Sequence, residues 1–142
     1  MWKPAAASTA PLIRAGDTAA GVDWMGLEWS PWRSLDARPS HEGIAVYRLR
    51  HPGTTELLYI GETLLLGQRV KSHARTFGGI GHVEISYVKL ATDVSKATLL
   101  EFENDLIACH YELTGRAPTH QFSNWNARAA PLAHPTAGGS AA

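Results

Sequence analysis

The chain has 142 residues, with 13 Lys and Arg against 13 Asp and Glu, a formal net charge of +0, and one cysteine. That length suits one domain, and the balanced charge argues against a chain built around a strongly basic nucleic-acid surface. Cys109 alone excludes an internal disulfide and a cysteine-based metal cage.

Residues 1–22 are rich in Ala, Ser, Thr and Pro, and Arg14 and Asp17 interrupt any run that could serve as the core of a signal peptide. Residues 126–142 are low in complexity. Neither stretch can bury enough apolar surface to offset its own ordering, so both are expected to be flexible tails around a folded unit spanning 23–125. No apolar run approaches membrane-spanning length, so no membrane partner is expected and the cytoplasm is the default compartment.

The segment 24–35 carries Trp24, Trp29 and Trp32, and Pro31 argues against one long helix there. A short turn or helix laying Trp29 and Trp32 over the core is expected. Ile44 to Arg50 is rich in β-formers, and His51-Pro52-Gly53 is turn chemistry. Leu57 to Ile60 reads as a second strand ended by Gly61, giving an antiparallel hairpin. Thr63 can cap a helix over 64–75, and Phe77 to His82 is a loop. His82 to Leu90 reads as a third strand, although its alternation fails after Tyr87. Asp93 or Ser95 starts a long helix to about Leu113, with Gly115 placed to stop it. The order β-β-α-β-α predicts an α/β (α+β) domain: a small three-stranded, mostly antiparallel sheet flanked by helices.

Charge is unevenly distributed. Arg48, Arg50, Arg69, Lys71 and Arg75 face only Glu56 and Glu62 in the same stretch, whereas Glu101, Glu103, Asp105 and Glu112 share the long helix with no cation between them. On that helix Leu99, Leu100, Phe102, Leu106, Ile107 and Leu113 fill one arc, with Glu101, Asp105 and Glu112 opposite. Glu103 breaks the pattern by projecting among the apolar residues, near His110. A carboxylate in such a place needs a cation, a metal or hydrogen-bond donors. Arg69 repeats the anomaly on the shorter helix, with His73 four residues on and Leu65 and Leu66 beside it. Its guanidinium suits a phosphate or a carboxylate equally. Tyr47 and Tyr59, on neighbouring strands, can aim their hydroxyls into one cleft, and tyrosine serves as a base only where a cation lowers its pKa. Read alone, Glu103 divides about evenly between a structural ion pair with an arginine and a functional site, a lone His73 favours packing or surface exposure, and the two tyrosines favour core positions with a hydrogen-bonded tip.

Taken together, Val46-Tyr47, Tyr59-Ile60-Gly61, Leu66-Gly-Gln-Arg69-Val-Lys-Ser-His73 and Leu100-Glu-Phe-Glu103-Asn-Asp-Leu106-Ile107 resemble the GIY-YIG endonuclease family across residues 43–121. The resemblance implies a nuclease that hydrolyses phosphodiesters, of DNA with RNA still open, using one Mg²⁺ or Mn²⁺. It implies that Glu103 holds the metal and that Arg69 stabilises charge on the scissile phosphate. One of Tyr47 and Tyr59 would activate the attacking water while the other orients the phosphate, and His73 would assist. Gly61 and Gln121 would support the site. The chain departs from the family pattern at Ala45, where the first motif has glycine, and at Glu62, where some relatives place lysine. At the family's Pro-x-x-Asn it reads Pro118-Thr-His-Gln121, with Asn124 further along. No appended DNA-binding domain is visible, so a protein partner or a homodimer is expected to supply affinity. The competing expectation is a catalytically inactive module that keeps the fold to bind nucleic acid or a partner. A third is an unrelated domain in which Arg69 and Glu103 form a structural ion pair.

Overall fold

A computed structural model describes residues 17–37, 39 and 41–122. The expected C-terminal tail, Asn124 and most of the expected N-terminal tail lie outside these residues. Residues 17–22 lie inside them: Ala19 is buried in the core, so the packed unit extends upstream of the expected boundary at 23.

The described chain forms strands β1 (Arg33–Ser34), β2 (Ala45–Arg50), β3 (Tyr59–Thr63) and β4 (Glu84–Lys89), with helices α1 (Leu66–Thr76) and α2 (Lys96–Thr114). The fold is α+β, a small antiparallel sheet with a helix on each face. The sheet has four strands in the order β1-β4-β2-β3, and every pairing is antiparallel. The expected three-stranded sheet therefore gains a short edge strand. A two-residue strand after Pro31 leaves no periodic signal; it forms because Arg33 and Ser34 pair with Ile85 and Glu84.

The hairpin forms as expected around Gly53 at φ +80, but Gly61 does not end β3. The strand continues to Thr63, with Gly61 opposite Tyr47 and Glu62 opposite Val46. Thr63 consequently belongs to the strand; its hydroxyl accepts from Leu65 N–H at 3.0 Å rather than capping the helix from within. For α2 the two candidate starts resolve to Ser95, whose Oγ accepts from Thr98 N–H at 3.1 Å, and Gly115 ends the helix in the left-handed region at φ 85.

Both faces of β2 and β4 are covered, which is why β4 lost its alternation. On one face Tyr47, Leu49, Val83, Ile85 and Tyr87 pack with Leu66 and Val70 of α1. On the other Val46, Ile60, Val88 and Leu90 pack with Leu99, Phe102 and Leu106 of α2 and with Trp24 and Trp29. A strand buried on both faces reads as a continuous apolar run rather than as a two-residue period. Met25, within a single 3-10 turn over Trp24–Gly26, takes a positive φ of 63. Trp29 stacks on Trp24 with ring centroids 5.8 Å apart, laying it over the core as its sequence suggests. Leu100 departs from expectation: it is exposed, because the arc of α2 that meets the sheet is narrower than the apolar arc of its sequence.

Candidate active site

Strand pairing sets the site's geometry. Tyr47 on β2 and Tyr59 on β3 point to the α1 face, with ring centroids 6.1 Å apart. His73, one turn before the end of α1, drops its ring between them, 5.4 Å from Tyr47 and 5.1 Å from Tyr59. Tyr47 Oη and His73 Nε2 are 2.8 Å apart. Phe77 closes the cluster 5.5 Å from His73.

Gly61 makes this arrangement possible. A Cβ built there would overlap the Tyr47 hydroxyl and lie 2.6 Å from its Cζ. Tyr47 is fully buried and cannot swing aside. Gly61→Ala is therefore expected to destabilise the protein by about 1–3 kcal/mol through overpacking and to displace Tyr47 from His73. Urea denaturation together with the NMR shifts of the His73 ring checks this; an unchanged midpoint with unchanged ring shifts would refute it.

Gln121 closes the free edge of β3. Its Oε1 accepts from Ile60 N–H and its Nε2 donates to Ile60 C=O, both at 2.8 Å. Thr119 N–H and His120 N–H donate to the carbonyls of Leu57 and Leu58. The segment after α2 therefore caps an edge that would otherwise present unpaired backbone. This gives Gln121 a supporting role in placing β3.

Glu103 lies on α2 in a hollow shared with Gln121 at the β3 edge, and its charge is felt by Tyr47 and Tyr59. It is half-buried, and among the described residues its carboxylate has no hydrogen-bond or ion-pair partner. Burial, then the neighbouring Glu62 carboxylate, pushes its pKa up from 4.5 to about 7, against the opposing influence of Lys96 and Arg69. Glu62 is itself held by Lys96 Nζ at 2.9 and 2.7 Å. That pair was not foreseen in the sequence. A faint signal existed: Lys96 opens α2, where the helix dipole disfavours a cation unless a nearby carboxylate compensates.

Arg69 is a correction to the sequence reading. It is exposed, not set into an apolar face; Leu65 is also exposed, whereas Leu66 is buried. His73 takes the inward position of that helical row, and the longer arginine extends past it into solvent. No Arg69–Glu103 ion pair forms among the described residues, which counts against the purely structural explanation of the two. The two residues line separate hollows: Arg69 with Lys96, Gln68 and Ser72 in one of about 390 Å³, and Glu103 with Tyr111, Gln121 and Phe122 in one of about 550 Å³. Arg69 still acts electrostatically on Tyr47, Tyr59, His73 and Glu103.

Both tyrosines are pushed above the ordinary phenol value, Tyr47 strongly. Burial is the largest cause for each, Glu103 and Glu62 raise both further, and Arg69 opposes. A hydrogen bond with Tyr47 eases Tyr59 downward. Burial, then Arg69, lowers His73 from 6.5 to about 4, so its ring is neutral near pH 7. His110, expected near Glu103, is instead structural: its Nε2 accepts from Leu57 N–H at 3.0 Å, and its Nδ1 lies 2.8 Å from Arg116 C=O.

Among the described residues no three His, Cys, Asp or Glu side chains gather as a metal cage. The donor chemistry present is a single half-buried carboxylate with a second acidic side chain in its field. A hard divalent cation that keeps most of its waters suits one such carboxylate. Positive charge at Glu103 would also counter the influence that raises both tyrosines. Comparison with protein-family models, with curated proteins and with solved structures returns no match.

Proposed function

We propose that this protein is a divalent-metal-dependent endonuclease hydrolysing nucleic-acid phosphodiester bonds, with DNA as the first substrate to test. The observation that carries the reading is the Glu103 carboxylate: half-buried, without a hydrogen-bond or ion-pair partner among the described residues, and in the electrostatic field shared by Tyr47, Tyr59 and Arg69. A buried structural carboxylate would be paired. An unpaired one held at a cost within the electrostatic reach of three phosphate-competent groups has the character of a functional site.

In this reading Glu103, as carboxylate, holds Mg²⁺ or Mn²⁺, which when bound neutralises phosphate charge and acidifies a water. Arg69, exposed enough to meet a ligand, donates its fork to the scissile phosphate. Tyr59 is only partly buried, so it is the tyrosine that reaches the attacking water. Tyr47, fully buried, lowers the Tyr59 pKa through their hydrogen bond and is itself fixed by His73. Tyr47 and His73 are thus positioning groups, joined by the 2.8 Å contact between Tyr47 Oη and His73 Nε2. Exposed Lys71 and Arg75, one turn apart on a different face of α1 from Arg69, add positive charge to the helix that can attract a phosphate backbone. Glu62 opposes phosphate little, because Lys96 neutralises it.

The second reading, an inactive module retaining the fold, is favoured by the raised pKa values of both tyrosines and by Ala45 in the first motif. Cleavage of supercoiled plasmid and of branched DNA with Mg²⁺ or Mn²⁺ separates the two. Arg69→Ala, at an exposed position, is expected to leave folding intact and to lower the cleavage rate by about 10²–10³-fold, the cost of losing one transition-state charge stabiliser. Metal-independent cutting would overturn the metal-dependent reading, and no cutting by folded wild type on any of these substrates would transfer the conclusion to the inactive module.

A further inference from the structure

The hollow beside Glu103 differs in chemistry from the rest of the site. Its volume of about 550 Å³ falls within the range of small-ligand pockets. Its lining includes Tyr111, 57% exposed, and Phe122, 74% exposed, together with the apolar Ile107 and Ala108. Large aromatics are seldom left this open without a binding role when they flank a common hollow. Its charged lining residues are Glu103 and Glu112, and none of the described lining residues is Lys, Arg or His. Away from a cation held at Glu103, a phosphate backbone would be repelled there. The α1 side, where Arg69 lines the 390 Å³ hollow, is where phosphates are attracted instead.

A strand passing from the basic side to Glu103 therefore meets an aromatic, phosphate-repelling hollow next. We infer that this hollow seats one unpaired nucleobase adjacent to the bond that is cut, stacked against Tyr111 and Phe122. The preferred substrate is then a strand with an unstacked nucleotide at that point: a splayed end, a flap or a single strand, rather than a continuous duplex. Stacking suits any base, because each has a π face. Exposed Asn104 at the rim adds a hydrogen-bonding amide for a base edge. The inference rests on the nuclease reading for its placement next to the scissile bond, while the base-binding hollow stands on its own geometry.

The test uses the full chain and a splayed DNA carrying 2-aminopurine at the fork, with a fully paired duplex of the same sequence. Both binding, read as 2-aminopurine quenching, and cutting with Mg²⁺ are measured for wild type, Tyr111→Ala, Phe122→Ala and the control Ile80→Ala. Ile80 is an exposed apolar residue in the loop after α1. Wild type and Ile80→Ala are expected to quench the fluorophore and to cut the splayed substrate faster than the duplex. Tyr111→Ala and Phe122→Ala, exposed enough to leave the fold intact, should each weaken quenching and splayed-substrate cutting by about tenfold. Cutting by wild type without quenching, or with both aromatic variants unchanged, would overturn the inference and leave the nuclease reading standing. Quenching that needs Tyr111 and Phe122, without any cutting, would uphold the base-binding hollow and overturn the nuclease. Self-association of wild type that is lost in the aromatic variants, with no quenching, would assign the face to a second copy of the chain and overturn the inference.

Discussion

Glu103→Gln is expected to abolish cutting while making the protein more stable at neutral pH. In the folded chain the Glu103 pKa is raised from 4.5 to about 7 by burial and by Glu62. A carboxyl whose folded pKa is raised binds its proton more tightly in the folded state than in the unfolded one. Its contribution is fully present below the unfolded value, and it is lost as pH climbs through 4.5 to about 7. Above that window the wild type carries an ionised, half-buried carboxylate at a cost of up to roughly 3 kcal/mol relative to the unfolded chain. Glutamine is nearly isosteric and neutral, so the variant escapes this cost and should gain about 1–3 kcal/mol at pH 7.5. Activity should fall by about 10²–10³-fold or more, because the amide cannot replace the charge of the carboxylate.

His73 gives the same experiment a second signature. Its folded pKa is lowered from 6.5 to about 4, so the stability it confers is present above 6.5 and lost as pH falls toward about 4. Between pH 4.5 and 6.5 the Glu103 and His73 contributions therefore have opposite slopes and nearly cancel in the wild type. In Glu103→Gln the His73 slope is exposed, and stability should rise steadily across that interval. Urea denaturation at half-unit pH steps, with plasmid cleavage run in parallel, reads both effects. A variant less stable than wild type at pH 7.5 would mean that Glu103 is a paired structural carboxylate after all. The same partnerless carboxylate predicts that apparent Mg²⁺ affinity in the wild type rises with pH through about 7, since the proton and the cation compete for it.

The sequence revealed the elements whose patterns are local. The hairpin around Gly53, the Ser95 start and the Gly115 stop are each written in a few adjacent residues. The anomaly at Glu103 was legible for the same reason: a carboxylate stood in a helical arc of leucines. What escaped depended on sheet register. That Gly61 lies opposite Tyr47, and must lack a Cβ for that reason, follows from pairing across a hairpin whose loop length the sequence leaves open. Arg69 was misplaced because helical periodicity assigns a row, not which member of the row reaches inward. His73, shorter and aromatic, fits beneath α1 against Tyr47, whereas the arginine extends outward. Arg48 was read only as part of a basic stretch, and its burial could not be foreseen without knowing that three tryptophans converge on it.

Truncating that arginine is expected to cause the largest loss of stability, about 3–5 kcal/mol for Arg48→Ala, comparable to emptying the site of a large core residue. Arg48 is fully buried on the α2 face of β2. Its guanidinium lies 4.0 Å from the ring of Trp29, 4.6 Å from that of Trp32 and 6.0 Å from that of Trp24. Nη1 donates to Ala19 C=O at 2.6 Å and Nη2 to Ser86 Oγ at 3.2 Å, while Nε has no partner. No carboxylate pairs with it among the described residues, and burial followed by Arg50 lowers its pKa from 12.5 to about 9. The cation is thus held by aromatic faces and two oxygens, which fasten the segment 17–32 onto the sheet. Alanine would leave a void walled by indoles and release that segment. Arg48→Met would fill most of the space and remove the buried charge, leaving mainly the Ala19 carbonyl unsatisfied, so a cost of only about 1–2 kcal/mol is expected. Tryptophan emission should shift red in the alanine variant and stay close to wild type in the methionine variant. Tyr47, the neighbouring residue on β2, points to the opposite face and is fixed there by His73, so the methionine variant should keep the Tyr47–His73 cluster. If methionine proves as damaging as alanine, the positive charge itself, rather than the volume it fills, is what the tryptophan cage requires.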